Sequence, residues 1–357
     1  FGVRCSTNGI YPKQDTALLQ IRAQVVNDGS TAENVGVLHK IYDRDGKLVS
    51  TSGIALYLEP GESSDCMVRP TVEAPHLWTD EDPYLYTLVS TVVADGRELD
   101  SFTCKTGIRT AVFDADRGFL LNGGTVKIKG MCVHHDCGLT GAVGYRESWA
   151  RRLKELKDMG CNGIRCSHNP PAPVLLDLCD ELGFLVMDEA FDEWLLAKNK
   201  TDNYYSESLA YGSSMFFTNH AKEDLTAMLR RDYNHPSVVI WSIGNEIPEQ
   251  SSVDGVKILK FLQDICHQED SSRMVTSACD NIAAVEPIRT LREFENALDV
   301  VGYNYVGRWR ERAETFYEED RKEYPERRMH GRAHPSAGGI RGDYSPEGWL
   351  GNYATAT

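Results

Sequence analysis

The stretch Val238-Val239-Ile240-Trp241-Ser242-Ile243-Gly244-Asn245-Glu246 decides how we interpret the fold of this chain. Its first four residues are apolar and mostly β-branched, a pattern typical of a strand buried on both faces of a parallel sheet. Polar residues follow at once and end in the carboxyl group of Glu246. Because barrel enzymes build their sites at the carboxyl ends of the strands, this stretch predicts a buried strand that leads into a functional site.

The same rhythm of apolar strands and amphipathic helices extends on both sides of this stretch, from about residue 118 to residue 330. The predicted strands cover residues 126–133, 162–165, 184–187, 238–241, 274–277, 299–301 and 328–330. The predicted helices between them cover residues 146–159, 174–182, 220–233, 253–268 and 311–324. Seven strands in series, none followed by Gly-x-Gly-x-x-Gly, favour a (β/α)8 TIM barrel over an open dinucleotide-binding sheet.

The residues before about 112 follow a different pattern, in which apolar and polar residues alternate as they do in half-buried strands. Three segments between these strands end in Asp-Gly, a dipeptide typical of turns between strands. They are residues 27–29, 43–46 and 94–96. Short, evenly spaced strands predict an antiparallel β-sandwich, and we find no catalytic combination of residues in it. We therefore expect two domains, a sandwich over residues 1–112 and a barrel over residues 113–357.

Charge and hydropathy exclude two classes of partner. The 357-residue chain carries 38 Lys and Arg against 53 Asp and Glu, which gives a formal net charge of −15. This balance argues against a nucleic-acid partner, because such proteins present a basic face to phosphate. The sequence contains no run of eighteen apolar residues, so we expect neither a membrane-spanning helix nor a membrane partner.

Ten cysteines are spread through apolar stretches, and none forms a Cys-x-x-Cys pair. In a chain of this length they predict free, buried thiols in a reducing compartment, and hence a cytoplasmic protein. The pairs Cys132/Cys137 and Cys161/Cys166 are each separated by four residues, so a zinc site is an alternative, although zinc ligands are usually closer in sequence.

Polar residues cluster at the ends of four predicted barrel strands, at residues 134–136, 165–171, 188–189 and 242–246. A single cluster of this kind would be explained by capping of the following helix. Four clusters at the same end of a barrel predict a shared site, because polar groups beside apolar strands are costly without a partner. Glu246 is the candidate proton donor of that site, with helix capping as its alternative role.

These residues carry a family resemblance. Residues 241–246 resemble the acid/base signature of glycoside hydrolase family 2, which includes β-galactosidases and β-glucuronidases. Residues 130–135, 164–171 and 186–190 resemble other barrel segments of that family, and residues 77–79, 83–86 and 107–109 resemble the end of its immunoglobulin-like domain. Among its members, bacterial β-galactosidases are the most similar in segments 129–136 and 167–171.

The resemblance implies a retaining β-glycosidase that uses two glutamates and acts on terminal β-linked sugars. Glu246 matches the general acid/base, while His134, His168 and Asn245 fall where the family contacts sugar hydroxyls. Tyr305 lies near the position of a tyrosine that supports the nucleophile. Some members bind Mg²⁺, but Leu195 stands where a histidine ligand would follow Glu193, so we expect no metal and no cofactor.

The chain departs from the family at the nucleophile. Ala333 stands at the position where the family has a glutamate after the seventh strand. Glu326 precedes that strand and Glu347 lies beyond the matched segments, so neither replaces it. We expect a member of the β-galactosidase type whose own turnover is nearly lost. The alternatives are a carbohydrate-binding homologue without activity and a scaffold in a larger assembly. Association into a homo-oligomer is a separate hypothesis about partners.

The same resemblance bears on the extent of the fold and on the sugar. Residues 336–357 are rich in glycine and show no eighth βα unit, so we expect a barrel truncated after strand 7, in an internal fragment of low stability. The sequence shows no basic pair for a uronate carboxylate, which favours galactose over glucuronate as the terminal sugar of a β-galactoside substrate.

Overall fold

The computed structural model describes residues 2–198, 212–282, 284–305 and 312–331. Its first part is a sandwich of two antiparallel sheets, ordered β1-β2-β5, with β6 paired to β2, and β4-β3-β7-β8. Alternate residues of β2, such as Leu19 and Ile21, are fully buried between the sheets, as the alternating pattern predicts. The strands are β1 (Val3–Tyr11), β2 (Thr16–Val26), β3 (Glu33–Tyr42), β4 (Leu48–Leu58), β5 (Ser63–Val68), β6 (Thr71–Glu73), β7 (Tyr86–Ala94) and β8 (Arg97–Thr106).

A small antiparallel sheet that the sequence does not predict follows the sandwich. It consists of β9 (Ala111–Asp114), β10 (Gly118–Leu121) and β11 (Gly124–Thr125). Phe113, Phe119 and Leu121 of this sheet pack in one apolar cluster with Leu185 and Met187, which lie on a barrel strand. We call residues 111–125 the floor sheet, because it closes the end of the barrel at which the strands begin.

The barrel part is a seven-stranded parallel sheet in which the strands pair in chain order. Helices connect successive strands, so these elements are seven consecutive strands of a (β/α)8 barrel, as the sequence predicts. The strands are β12 (Gly130–His134), β13 (Gly163–Ser167), β14 (Leu185–Glu189), β15 (Val238–Asn245), β16 (Met274–Cys279), β17 (Val300–Tyr303) and β18 (Met329–Gly331). The helices are α1 (Arg146–Asp158), α2 (Pro173–Leu182), α3 (Ser214–Asp232), α4 (Val253–Glu269), α5 (Arg292–Ala297) and α6 (Arg312–Glu323). No helix in the described ranges is long and apolar enough to cross a membrane.

Some element bounds differ from those predicted. Helix α3 begins at Ser214 rather than at residue 220, because Phe217 in its first turns is buried against Phe191 and Trp194. Helix α5 is not predicted, since its six residues carry three charges and two apolar side chains. Strand β15 continues to Asn245, which brings that side chain onto the strand itself. All ten cysteines are free thiols, as expected, but only six are buried, while Cys104, Cys137 and Cys161 are partly exposed and Cys132 is exposed.

The sandwich is joined to the beginning of the barrel strands by hydrogen bonds between buried groups. The Arg109 side chain donates from Nε to the carbonyl of Pro236 (3.0 Å) and from Nη2 to the carbonyl of Val238 (2.6 Å). The Trp78 indole N–H donates to the carbonyl of Asp180 at 3.0 Å. These bonds satisfy backbone carbonyls at the start of β15 and in the last turn of α2, so buried hydrogen bonds connect the sandwich to the barrel.

Candidate active site

The carboxyl ends of the barrel strands form a mouth at the end opposite the floor sheet. Strand β12 places His134 there, β13 and the residue after it place Arg165 and His168, and β14 places Glu189. Strand β15 ends in Asn245, directly before Glu246. Inward and outward side chains alternate along each strand, which is why Glu189 faces the interior together with Leu185 and Met187.

A buried ion pair forms the base of this site. Arg165 Nε and Nη2 donate to both carboxylate oxygens of Glu189, at 2.9–3.1 Å. Ser242 Oγ adds a third donor at 2.6 Å. Glu189 is fully buried and Arg165 is 6% exposed, so removing one partner would leave the other charged and desolvated. The sequence marks both residues at strand ends but does not predict that they pair.

Asn245 links this ion pair to the residues nearer solvent. Its Oδ1 accepts from Arg165 Nη2 at 2.7 Å, and its Nδ2 donates to Asp192 Oδ1 at 2.9 Å. An amide nitrogen carries two N–H groups, so one remains for a ligand hydroxyl. This arrangement suits the sugar-contacting role that the family resemblance implies for Asn245.

Glu246 is half-buried at the end of β15, and Asn304 holds its side chain. Asn304 Nδ2 donates to Glu246 Oε1 at 2.6 Å, which leaves Oε2 without a donor in the described part of the chain. The helical turn that follows, Pro248–Ser251, has Ile247 at its N-cap and no side-chain capping bond. The capping alternative for Glu246 is therefore wrong. Asn304 directly follows β17 and is not predicted from the sequence.

The backbone of Glu246 is strained in a way that fits a functional position. Its φ is +48°, and Tyr305, two residues past β17, has a φ of +54°. Bulky residues in this left-handed region cost about 1–3 kcal/mol and tend to cluster at functional sites. Four other non-glycine residues share the conformation, namely Asp15, Ala74, Asp95 and Asn122. Tyr305 is half-buried, and its role beside the nucleophile stays a prediction.

Two histidines form one wall of the mouth. His168 Nδ1 lies 2.7 Å from Glu189 Oε1, and donation to that carboxylate leaves Nε2 free to accept a hydrogen bond. The His134 ring meets the His168 ring edge-on, with 5.3 Å between centroids. Burial, followed by the nearby His168 and Arg165, lowers the pKa of His134. A neutral His134 can both donate to and accept from a ligand hydroxyl.

Other predicted residues stand apart from this cluster or outside the described residues. Glu193 is buried and holds the chain around it, since its carboxylate accepts from the Lys198 backbone N–H at 2.9 Å. Leu195 is 46% exposed, and no group of three His, Cys, Asp or Glu side chains in the described ranges could hold a metal ion. Glu326 is exposed in the turn before β18. Ala333, the predicted nucleophile position, and Glu347 lie outside the described residues.

Comparison with known proteins places this arrangement in a family. The model for glycosyl hydrolases family 2 matches residues 6–109, and the model for the TIM barrel domain of the same family matches residues 113–336. A Bacteroides ovatus protein named as a beta-galactosidase is 38% identical over 341 residues. That match covers 85% of this chain and 38% of the relative.

Solved structures give the same result. A glycosyl hydrolase family 2 member from Bacteroides cellulosilyticus matches with a TM-score of 0.81 at 35% identity, covering 92% of this chain and 40% of that one. A Bacteroides uniformis beta-glucuronidase matches with a TM-score of 0.78 at 26% identity, covering 97% and 41%. The chain thus spans about two-fifths of the length of these relatives. Its two matched segments, in this order and around this mouth, show that the chain belongs to glycosyl hydrolase family 2.

Proposed function

We propose that this chain carries the sugar-binding and acid/base part of a retaining β-glycosidase, of the type that cleaves terminal β-galactosides. The observation that supports this best is Glu246, a strand-end carboxyl held by Asn304 with one oxygen left over. Retaining glycosidases protonate the glycosidic oxygen with such a group, which then activates water as a base in the second step. Family membership supplies the reaction class.

The surrounding residues fit the needs of that step. The Asn304 hydrogen bond to Oε1 fixes the carboxyl orientation, so that Oε2 can meet the glycosidic oxygen. His134, His168 and Asn245 each keep hydrogen-bonding capacity toward a ligand, which suits the several hydroxyls of a terminal sugar. Because Arg165 and Glu189 are locked together beneath them, these groups are held in place before the sugar binds.

The second carboxylate decides whether the chain itself turns over substrate. A retaining site needs a nucleophile about 5–5.5 Å from the acid/base carboxyl. Our proposal keeps Ala333 at that position, so the covalent glycosyl-enzyme does not form in this chain. A sugar-binding protein without turnover is therefore the second candidate, supported by the intact wall of His134, His168 and Asn245.

The sugar is proposed from the relatives together with the sequence. The B. ovatus relative is named as a beta-galactosidase, whereas a putative beta-glucuronidase from Formosa agariphila is 36% identical over 238 residues. The chain segments at 129–136 and 167–171 resemble β-galactosidases most. We therefore propose a β-galactoside rather than a β-glucuronide as the ligand.

An assay with a nitrophenyl β-galactoside tests the proposal on the chain and on its Ala333→Glu variant. We expect Ala333→Glu to raise kcat/KM on the order of 10³-fold or more, because it restores a covalent route rather than a single contact. Ala333→Gln is the matched control, since it adds the same volume without a nucleophilic carboxylate. If neither the chain nor Ala333→Glu cleaves the substrate while both bind galactose, the sugar-binding alternative replaces the enzyme; if neither binds, both proposals fail.

A further inference from the structure

Asp192 belongs to the mouth, yet neither the acid/base step nor the family resemblance assigns it a role. It lies in the segment after β14, and 41% of its side chain is exposed. Its carboxylate accepts from Asn245 Nδ2 at 2.9 Å and from Lys198 Nζ at 2.5 Å. Both bonds end on Oδ1, so in the part of the chain that the structure describes Oδ2 has no donor. Asp192 thus presents an open acceptor beside the residues that face the sugar.

This carboxylate is ionised at neutral pH. Burial alone would raise the pKa of Asp192, but the hydrogen bond and charge of Lys198, with Asn245 and His168, hold it below its usual range. The charge of Asp192 also reaches His134. The open oxygen therefore carries negative charge next to both histidines.

In the part of the chain that the structure describes, the cations that contact Glu189 and Asp192 at the mouth are already paired. Arg165 is paired with Glu189 and also donates to Asn245, while Lys198 is paired with Asp192. A uronate carboxylate entering among the described residues would meet the carboxylate of Asp192 and would have to break one of these pairs. A neutral sugar would instead offer hydroxyl donors to Asp192 Oδ2.

From these contacts we infer that Asp192 is a specificity-determining residue, which accepts a hydroxyl of a neutral terminal sugar and disfavours a uronic acid. This inference rests on the proposed function, because it concerns the ligand of the same mouth. Like charges brought together in an interface repel each other, whereas a hydrogen bond to a charged group is favourable. The Asp192 carboxylate can therefore favour a neutral sugar and disfavour a uronic acid at the same time.

The test compares binding rather than turnover, so that it works whether or not the chain cleaves. Isothermal titration calorimetry gives Kd for a phenyl thio-β-galactoside and a phenyl thio-β-glucuronide, neither of which is readily hydrolysed. The proteins are the chain, Asp192→Asn and Glu155→Gln. Asn keeps an oxygen acceptor for Lys198 and Asn245 but has no charge, and a thermal melt confirms that the fold is kept. Glu155→Gln removes the carboxylate of an exposed ion pair with Arg151 on α1, as the matched control.

We expect the chain to prefer the thiogalactoside. Asp192→Asn should weaken the thiogalactoside about tenfold and tighten the thioglucuronide about tenfold, a hundredfold change in the ratio. Glu155→Gln should leave both values within about twofold. If Asp192→Asn changes both Kd values by one factor, or if the chain prefers the thioglucuronide, the inference about Asp192 fails while sugar binding stands. If the chain binds neither ligand, the proposed function fails, and the inference with it.

Discussion

At the start of the barrel strands, Arg273 is buried, and all three of its guanidinium nitrogens donate hydrogen bonds. It donates to the carbonyls of Tyr233, His235 and Val238 and to the carboxylate of Asp270. At the mouth, Arg165 is buried to the same degree and also bonded to a carboxylate. The groups around it differ, however, because Asn245, His168, Asp192 and Glu246 each retain a donor or an acceptor. Both ends of the barrel thus contain a buried arginine–carboxylate pair, but only the pair at the mouth is surrounded by groups that can still bind a ligand.

The difference between the two ends shows how to recognise a functional charge cluster. Burial of an arginine and a carboxylate together marks both ends equally, so burial alone does not identify the site. At the start of the strands, Arg273 donates only to groups of the protein among the described residues, which stabilises the fold. At the mouth, a closed inner pair supports an outer layer with unused capacity, and that layer is where a ligand can bind.

The largest expected effect lies at the mouth. In the Ala333→Glu background, Glu246→Gln should lower kcat/KM for an aryl galactoside with a poor leaving group by about 10²–10⁴-fold, because proton donation is lost. The loss should be much smaller with a dinitrophenyl leaving group, which needs no proton. Steady-state rates on the two substrates test this, and equal losses on both would contradict the acid role of Glu246.

The next prediction concerns the replacement of one buried arginine at the mouth and one at the start of the strands. Arg165→Met and Arg273→Met each leave a buried carboxylate without its partner, so each should lower the free energy of unfolding by about 3–5 kcal/mol. Only Arg165→Met should also abolish galactoside binding, because Asn245 loses its anchor. Urea unfolding and calorimetry on both variants measure these effects. Equal loss of binding in both variants would mean that the two ends are not functionally distinct.

A smaller, pH-dependent effect concerns Asp188, which lies on β14 next to Glu189 but faces the helices. Its buried carboxyl lies against the buried carboxyl of Asp232, with Arg231 and Arg273 as the nearby cations. Burial, and then repulsion by Asp232, raise the pKa of Asp188 well above its usual range. The folded protein therefore binds more protons than the unfolded chain above about pH 4, and this group's contribution to stability falls as the pH rises.

Asp188→Asn should remove that dependence, because the amide donates to Asp232 at every pH. We expect the free energy of unfolding of Asp188→Asn, relative to that of the unchanged chain, to increase steadily from pH 4.5 to pH 8. Urea unfolding at several pH values measures it, with the exposed Asp264→Asn as a control for loss of one surface carboxylate. A difference that stays constant with pH would contradict the raised pKa of Asp188.

The parts of the fold that could be predicted are those in which a local pattern determines the structure. Residues 238–241 form a continuous apolar run because β15 is covered on both faces. This run alone predicts a buried strand of a parallel sheet. The floor sheet escapes prediction because its strands are two to four residues long and the side chains that they pack against lie on a barrel strand distant in sequence. The site follows the same rule. Strand ends mark Arg165, Glu189 and Glu246, but the Arg165–Glu189 pair and the Asn304 bond depend on the register between strands, which no single segment contains.

The floor sheet also has a consequence for how such proteins can be recombined. Phe113, Phe119 and Leu121 precede the first barrel strand in sequence, yet they fill the space against Leu185 and Met187. A barrel transplanted from residue 126 onward would expose those strand starts to water, at roughly 25 cal/mol for each Å² of apolar surface. Exchange of modules between relatives therefore has to carry residues 111–125 with the barrel and join the chains on the sandwich side of residue 111.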